Sequence, residues 1–276
     1  MVGGVGGMGV ILQRWLTALV LGICLLSSVV FFNPLGFEVL VSVLAGAAYW
    51  EWLRMTLHRT SRVRCIGGAI VLGALVLFSV KQPILGLVIL GSAMFWWFCV
   101  LMVMITAGGR RDSSVFPTSV LPGALIVLAG GIAICWLQQR GPANGLRLIE
   151  FLVLVWAVDC GSFFVGRRWG RHKLAPALSP GKTVQGALGG AVSVLAVSGC
   201  IYLIDDSLAE TMLSTWLSLV LAVYLMCVVG DLYESAAKRN AGVKDSGTLL
   251  PGHGGILDRI DSVLAASPIY YVVLFW

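Results

Sequence analysis

The chain has 276 residues, of which 58% are hydrophobic and 12% charged, with a net charge of +6 and a mean hydropathy of +0.94. These values lie outside the soluble range. The apolar runs are continuous rather than alternating, which disfavours a β-barrel, and lipid obliges the backbone to satisfy its own hydrogen bonds. The expected fold is therefore all-α: a polytopic helical bundle in a single membrane domain over 1–276, with supporting, lipid-facing spans in 1–140 and catalytic spans and cytoplasmic loops in 141–276.

Apolar windows of bilayer-crossing length run over 15–32, 35–53, 65–80, 84–106, 118–137, 147–165, 183–204 and 212–230. The first ends in Phe31-Phe32-Asn33-Pro34 rather than at a small-residue cleavage site, so it reads as a retained span. A ninth, Gly254 to Trp276, is long enough if its charged first turns sit at the interface. The seven cysteines lie mostly in separate apolar runs, with no CxxC pair and no histidine at ligand spacing. They read as small apolar helix residues.

The sixth window holds Asp159, whose burial costs several kcal/mol unless it is paired, which makes it a functional candidate facing the bundle interior. After it, Gly166-Arg167-Arg168 and Arg171-His172-Lys173 lead to Ser179-Pro180-Gly181-Lys182-Thr183. There Ser179 or Thr183 can cap the seventh helix and Lys182 can reach a phosphate.

The eighth window runs into Asp231-Leu232-Tyr233-Glu234-Ser235-Ala236-Ala237-Lys238-Arg239 with no turn signal, so the helix is expected to continue into the interface. Asp231, Glu234 or Ser235, and Lys238 then share one helix face. From Asp231 to Asp261, one-ninth of the chain, lie five of its thirteen acids: Asp231, Glu234, Asp245, Asp258 and Asp261. Asp258 and Asp261, three residues apart at the start of the ninth span, share a face and repel each other. A hard cation relieves that repulsion, so Asp231, Asp258 and Asp261 are the expected metal ligands, for Mg²⁺ with one or two ions. Between the acids, Lys244-Asp245-Ser246-Gly247 and Pro251-Gly252-His253-Gly254-Gly255 form a loop whose backbone N–H groups can approach an anion before a helix N-terminus. Together with the nearby cations, this suits metal-assisted phosphoryl or nucleotidyl transfer.

Placing the N-terminus inside puts sixteen of the nineteen basic residues on one side, leaving only Lys81, Arg140 and Arg147 outside. This is the positive-inside pattern, and it turns the polar loops towards the cytoplasm.

The ordered set Gly230-Asp231, Glu234, Ser235-Ala236-Ala237-Lys238-Arg239, Lys244-Asp245-Ser246-Gly247, Pro251-Gly252-His253-Gly254-Gly255 and Asp258-Arg259-x-Asp261-Ser262 closely resembles the phosphatidate cytidylyltransferases, or CDP-diglyceride synthases. The likeness extends upstream to Asp159-x-Gly161 through Arg167 and to Leu178-Ser179-Pro180-x-Lys182-Thr183. The first 140 residues match only as a series of spans. The resemblance implies that CTP and phosphatidate give CDP-diacylglycerol and pyrophosphate with Mg²⁺, in the cytoplasmic (inner) membrane of a bacterium. On this reading Lys238, Arg239, Lys244, Asp245 and His253 form the catalytic set, and Asp159, Ser179, Lys182, Ser235, Gly254, Gly255 and Arg259 bind substrate. Lys182, Lys238, Arg239 and Lys244 neutralise phosphates. The family usually carries Glu where this chain has Gln185; a direct metal ligand there would be weakened by the change, whereas for a group that caps backbone or hydrogen-bonds the nucleotide Gln could partly serve.

Two other readings compete. A transporter would place its charges near the bilayer midplane and show repeated halves, and no internal repeat is evident. Cytidylyl transfer to a different lipid phosphate is the nearer alternative. Membrane lipids are the expected surroundings, no nucleic-acid partner is expected, and self-association is left open.

Overall fold

The computed structural model describes residues 20, 22–57, 60–107, 113–140, 145–208, 211–250 and 254–276. The described helices are α1 (Gly22–Phe31), α2 (Pro34–Thr56), α3 (Arg62–Val80), α4 (Pro83–Ala107), α5 (Val120–Gln139), α6 (Leu146–Trp169), α7 (Val184–Ile204), α8 (Leu213–Asn240) and α9 (Leu257–Phe275). Of the described helices, α3 to α8 are long and apolar enough to cross a membrane. The remaining long helices each carry three charged residues: Glu38, Glu51 and Arg54 on α2, and Asp258, Arg259 and Asp261 on α9. This is the all-α membrane architecture expected from composition.

Local signals account for several helix ends. Asn33 caps α2, its side-chain oxygen accepting from Gly36 N at 2.7 Å, and Pro34 follows as the first helical residue. Thr183, rather than Ser179, caps α7 by accepting from Gly186 N at 3.1 Å. The continuation of α8 past the apolar window is observed, the helix ending at Asn240.

The described residues also include extended structure. Between α6 and α7 the chain forms a short antiparallel hairpin of β1 (Lys173–Ala175) and β2 (Ser179–Thr183), with Lys173 opposite Thr183 and Ala175 opposite Ser179. The strands are too short to show alternation, and Pro176, Pro180 and Gly181 read only as loop residues in sequence.

Helix α5 is the hub. Ile132, Ala133, Cys135 and Leu137 on it are fully buried, and it packs on α2, α3, α4 and α9. The most extensive contact joins α6 to α7, and small residues make it possible. A Cβ on Gly161 would lie 2.7 Å from Gly189 O, and one on Gly189 would lie 2.8 Å from Gly161 O. The close approach of these two helices sets the distance between Asp159 on α6 and Lys182 at the foot of α7. We expect Gly161→Val to cost about 1–3 kcal/mol through overpacking, read as a lower melting temperature in detergent. Gly199→Val, where a Cβ meets open space, should leave that temperature unchanged.

Candidate active site at the α6, α8 and α9 helix ends

A cavity of about 540 Å³ opens where the hairpin, α6, α7, α8 and α9 converge. Its lining includes five carboxylates (Asp159, Asp231, Glu234, Asp258 and Asp261) and four cations (Arg167, Lys182, Lys238 and Arg259). Distant parts of the chain supply them: Asp159 and Arg167 come from α6, Lys182 from β2, Asp231 to Lys238 from α8, and Asp258 to Asp261 from α9.

Helix packing brings the acids together. A Cβ on Gly230 would lie 3.0 Å from the backbone oxygen of Asp261, so glycine lets α8 and α9 touch at the level of these acids. Asp231, Glu234 and Asp261 then offer carboxylate oxygens within 4.8 Å of one another. Glu234 Oε1 is buried with no hydrogen-bond donor on it, a costly arrangement, about 1–3 kcal/mol or more for a charged group. Three carboxylates with an open buried oxygen make a hard, all-oxygen donor set that fits a divalent cation such as Mg²⁺.

This group differs from the set expected from sequence in one member. Asp258 does share a helix with Asp261, but its carboxylate faces the segment before α9. There it accepts from Ser246 N at 3.1 and 3.0 Å, from Gly255 N at 2.8 Å and from Lys238 Nζ at 2.9 Å. Glu234 stands in the acidic group in its place. Spacing along α9 identifies a shared face but does not say which of its two acids joins Asp231 and Glu234.

The lysines are interleaved with the acids. Lys182 pairs with Asp231, and Lys238 bridges Glu234 and Asp258. The hairpin thus delivers Lys182 to the α8 carboxylates, and Lys238 joins the two acidic helices. Arg259 lies on the cavity wall.

The other expected residues that the structure describes are absent from the cavity lining. Ser179 starts β2, and Ser235 is buried on α8. Arg239 reaches Leu178 O through Nε at 3.5 Å, tying the end of α8 to the hairpin turn. Lys244 and Asp245 are exposed. Gly254 takes a positive φ of 85°, where a Cβ would also meet Asp258 Oδ2 at 2.8 Å. His253 lies outside the described residues, with Pro251 and Gly252.

Gln185 has a structural task. Its Oε1 accepts from Arg171 N at 3.0 Å and His172 N at 3.1 Å, and its Nε2 lies 2.7 Å from His172 Nδ1. It fixes the approach to β1 and is absent from the cavity lining. A carboxylate could accept from the same two N–H groups, so Gln185→Glu should retain turnover. Gln185→Leu, which leaves both amides without that acceptor, should lower it; steady-state rates of the two variants side by side check this.

Sequence reasoning missed Glu51. This α2 residue is fully buried, and its Oε2 accepts from Ser246 Oγ at 3.1 Å and Leu257 N at 2.9 Å. The signal was present, because an acid inside an apolar window deserves the argument applied to Asp159.

Comparison with known proteins identifies the family. The sequence pattern described as "Cytidylyltransferase family" matches residues 12–276. A protein of Pseudomonas aeruginosa named phosphatidate cytidylyltransferase is 34% identical over 95% of this chain and 96% of its own length. Proteins of the same name from Haemophilus influenzae and Brucella suis are 33% and 35% identical, covering 96% and 94% of this chain and 98% and 91% of their own. The chain belongs to the cytidylyltransferase family.

Proposed function

We propose that this chain transfers the cytidylyl group of CTP to phosphatidate, giving CDP-diacylglycerol and pyrophosphate. The observation that carries the reading is a single cavity lined by five carboxylates and four cations in a chain 33–35% identical, over nearly its whole length, to proteins named for this activity. A phosphate monoester is already an anion near neutral pH, so it can attack without a dedicated base. One of its oxygens attacks the α-phosphorus of CTP and forms the new P–O bond. The bond from that phosphorus to the α–β bridging oxygen breaks, and pyrophosphate departs with the electron pair. Lys182, Lys238 and Arg259 stand where they can neutralise the phosphates of nucleotide and lipid, and Arg167 adds charge at the same wall.

Asp231, Glu234 and Asp261 would hold Mg²⁺, whose charge stabilises phosphate oxygens as negative charge builds on the leaving group. The five-to-four excess of carboxylates over cations in the cavity supports this assignment. Nine spans with the N-terminus inside put the cavity at the cytoplasmic face, where CTP is available, of a bacterial inner membrane. The clustering of sixteen of nineteen bases on that side supports this orientation.

The test supplies the purified protein in detergent with labelled CTP, phosphatidate and Mg²⁺, and follows labelled lipid and released pyrophosphate. Absence of a lipid product together with ion-coupled uptake in vesicles would replace the enzyme with a transporter. Product formed only from another lipid phosphate would change the acceptor. EDTA should stop the reaction and Mg²⁺ restore it.

The acidic residues should separate by effect. Asp231→Asn, Glu234→Gln and Asp261→Asn should raise the Mg²⁺ concentration needed for half-maximal rate. Asp258→Asn should instead lower turnover by about 10²-fold, the scale of a displaced active-site group, with little change in Mg²⁺ dependence. A shift for Asp258→Asn like that of the other three would return Asp258 to the ligand set.

A further inference from the structure

Glu51 belongs to the N-terminal half of the chain and lies outside the cavity wall, yet it holds the segment that leads into α9, whose Asp258, Arg259 and Asp261 line that wall. Its Oε2 takes the Ser246 hydroxyl and the Leu257 amide, so one carboxylate oxygen ties two points eleven residues apart. Glycines admit it there. A Cβ on Gly247 would collide with Glu51 Oε1, and one on Gly255 would collide with Glu51 Oε2 and Ser246 Oγ.

The two ends brought together in this way present their amides to Asp258, Ser246 N at 3.0 Å and Gly255 N at 2.8 Å from its Oδ2. Asp258 receives Lys238 Nζ at 2.9 Å, and Lys238 pairs with Glu234. A continuous chain of hydrogen bonds and ion pairs therefore leads from a helix outside the cavity to its acidic group. Helix α2 is rigidly set for the task. The neighbouring Trp52 stacks on Tyr233 with ring centroids 6.0 Å apart and planes 14° from parallel, and donates from Nε1 to Ser119 O at 3.0 Å.

We propose that Glu51 is a positioning residue for cytidylyl transfer, clamping Ser246 to Leu257 so that Asp258 and Lys238 are fixed against the cavity. The proposal rests on the functional reading above. It makes α2, which carries none of the family-like motif residues, part of the catalytic apparatus.

The experiment compares wild type, Glu51→Ala, Glu51→Gln and Ser246→Ala by steady-state kinetics and amide hydrogen exchange in detergent. Glu51→Ala should lower kcat by roughly 10²-fold with the KM for phosphatidate unchanged, and should speed exchange around Ser246, Gly255 and Leu257 without speeding it in α5. Glu51→Gln keeps an acceptor for the Leu257 amide and should recover most of the turnover and the local protection. Ser246→Ala removes one of the two donors and should give a smaller loss with the same local exchange pattern.

Near-normal kcat in Glu51→Ala would overturn the proposal. So would a Gln variant no better than Ala, or faster exchange spread through α5, which would mark Glu51 as a core residue only. If Glu51→Ala does not fold, Glu51→Gln and Ser246→Ala decide by the same readouts. Wild type without lipid product would defeat the functional reading instead, whereas the exchange pattern tests the clamp whether or not product forms.

Discussion

A carboxylate on a membrane helix finds no partner in lipid, so it must face cations, hydrogen-bond donors or water held within the protein. The arrangement of this molecule follows from where it satisfies that demand. Asp231, Glu234 and Asp261 face one another across the α8–α9 contact, Lys182 is drawn to Asp231, and Lys238 links Glu234 to Asp258. Each helix contact that closes the cavity places one of these charges: the Gly161–Gly189 approach sets Asp159 relative to the hairpin, and Gly230 sets Asp231 against Asp261. A change at either glycine is consequently a change in the site, although neither side chain takes part in chemistry.

The fold was legible because lipid imposes a one-dimensional signal. Helices α2 to α9 fall within a few residues of the windows drawn from hydropathy, apart from the polar extension of α8. That extension was readable too, from the lack of any turn residue between Gly230 and Lys238. The hairpin at 173–183 escaped because two strands of three and five residues carry no periodicity long enough to recognise. The site was legible as a set of residues more than as a set of roles. Asp159, Lys182, Asp231, Lys238, Asp258, Arg259 and Asp261 all reach the cavity. Their partners depend on how α9 is rotated against α8, which the spacing of Asp258 and Asp261 leaves undetermined. Gln185 shows the same limit: a departure from the family pattern looked like a threat to the metal site, yet its carbonyl oxygen holds backbone amides away from it.

Ionic groups remote from the cavity give the contrasting case. The topology proposed above leaves Lys81, Arg140 and Arg147 on the far side of the membrane, and each is engaged within the protein. Lys81 meets Glu38 at 2.7 Å, and Arg147 meets Glu150 and Asp205 at 2.7 Å each. Arg140 lies over the rings of Tyr271 and Phe275 at 5.4 and 5.6 Å. Three bases on that side against sixteen on the other leave the positive-inside bias intact. Acid and base there meet in a pair or a triad, whereas the α8–α9 site combines a carboxylate excess with an open cavity. Charge in the remote clusters is consistent with holding helices in register. In the cavity the same attraction is left partly unmet, and that residual demand is what a divalent cation and a polyphosphate together can satisfy.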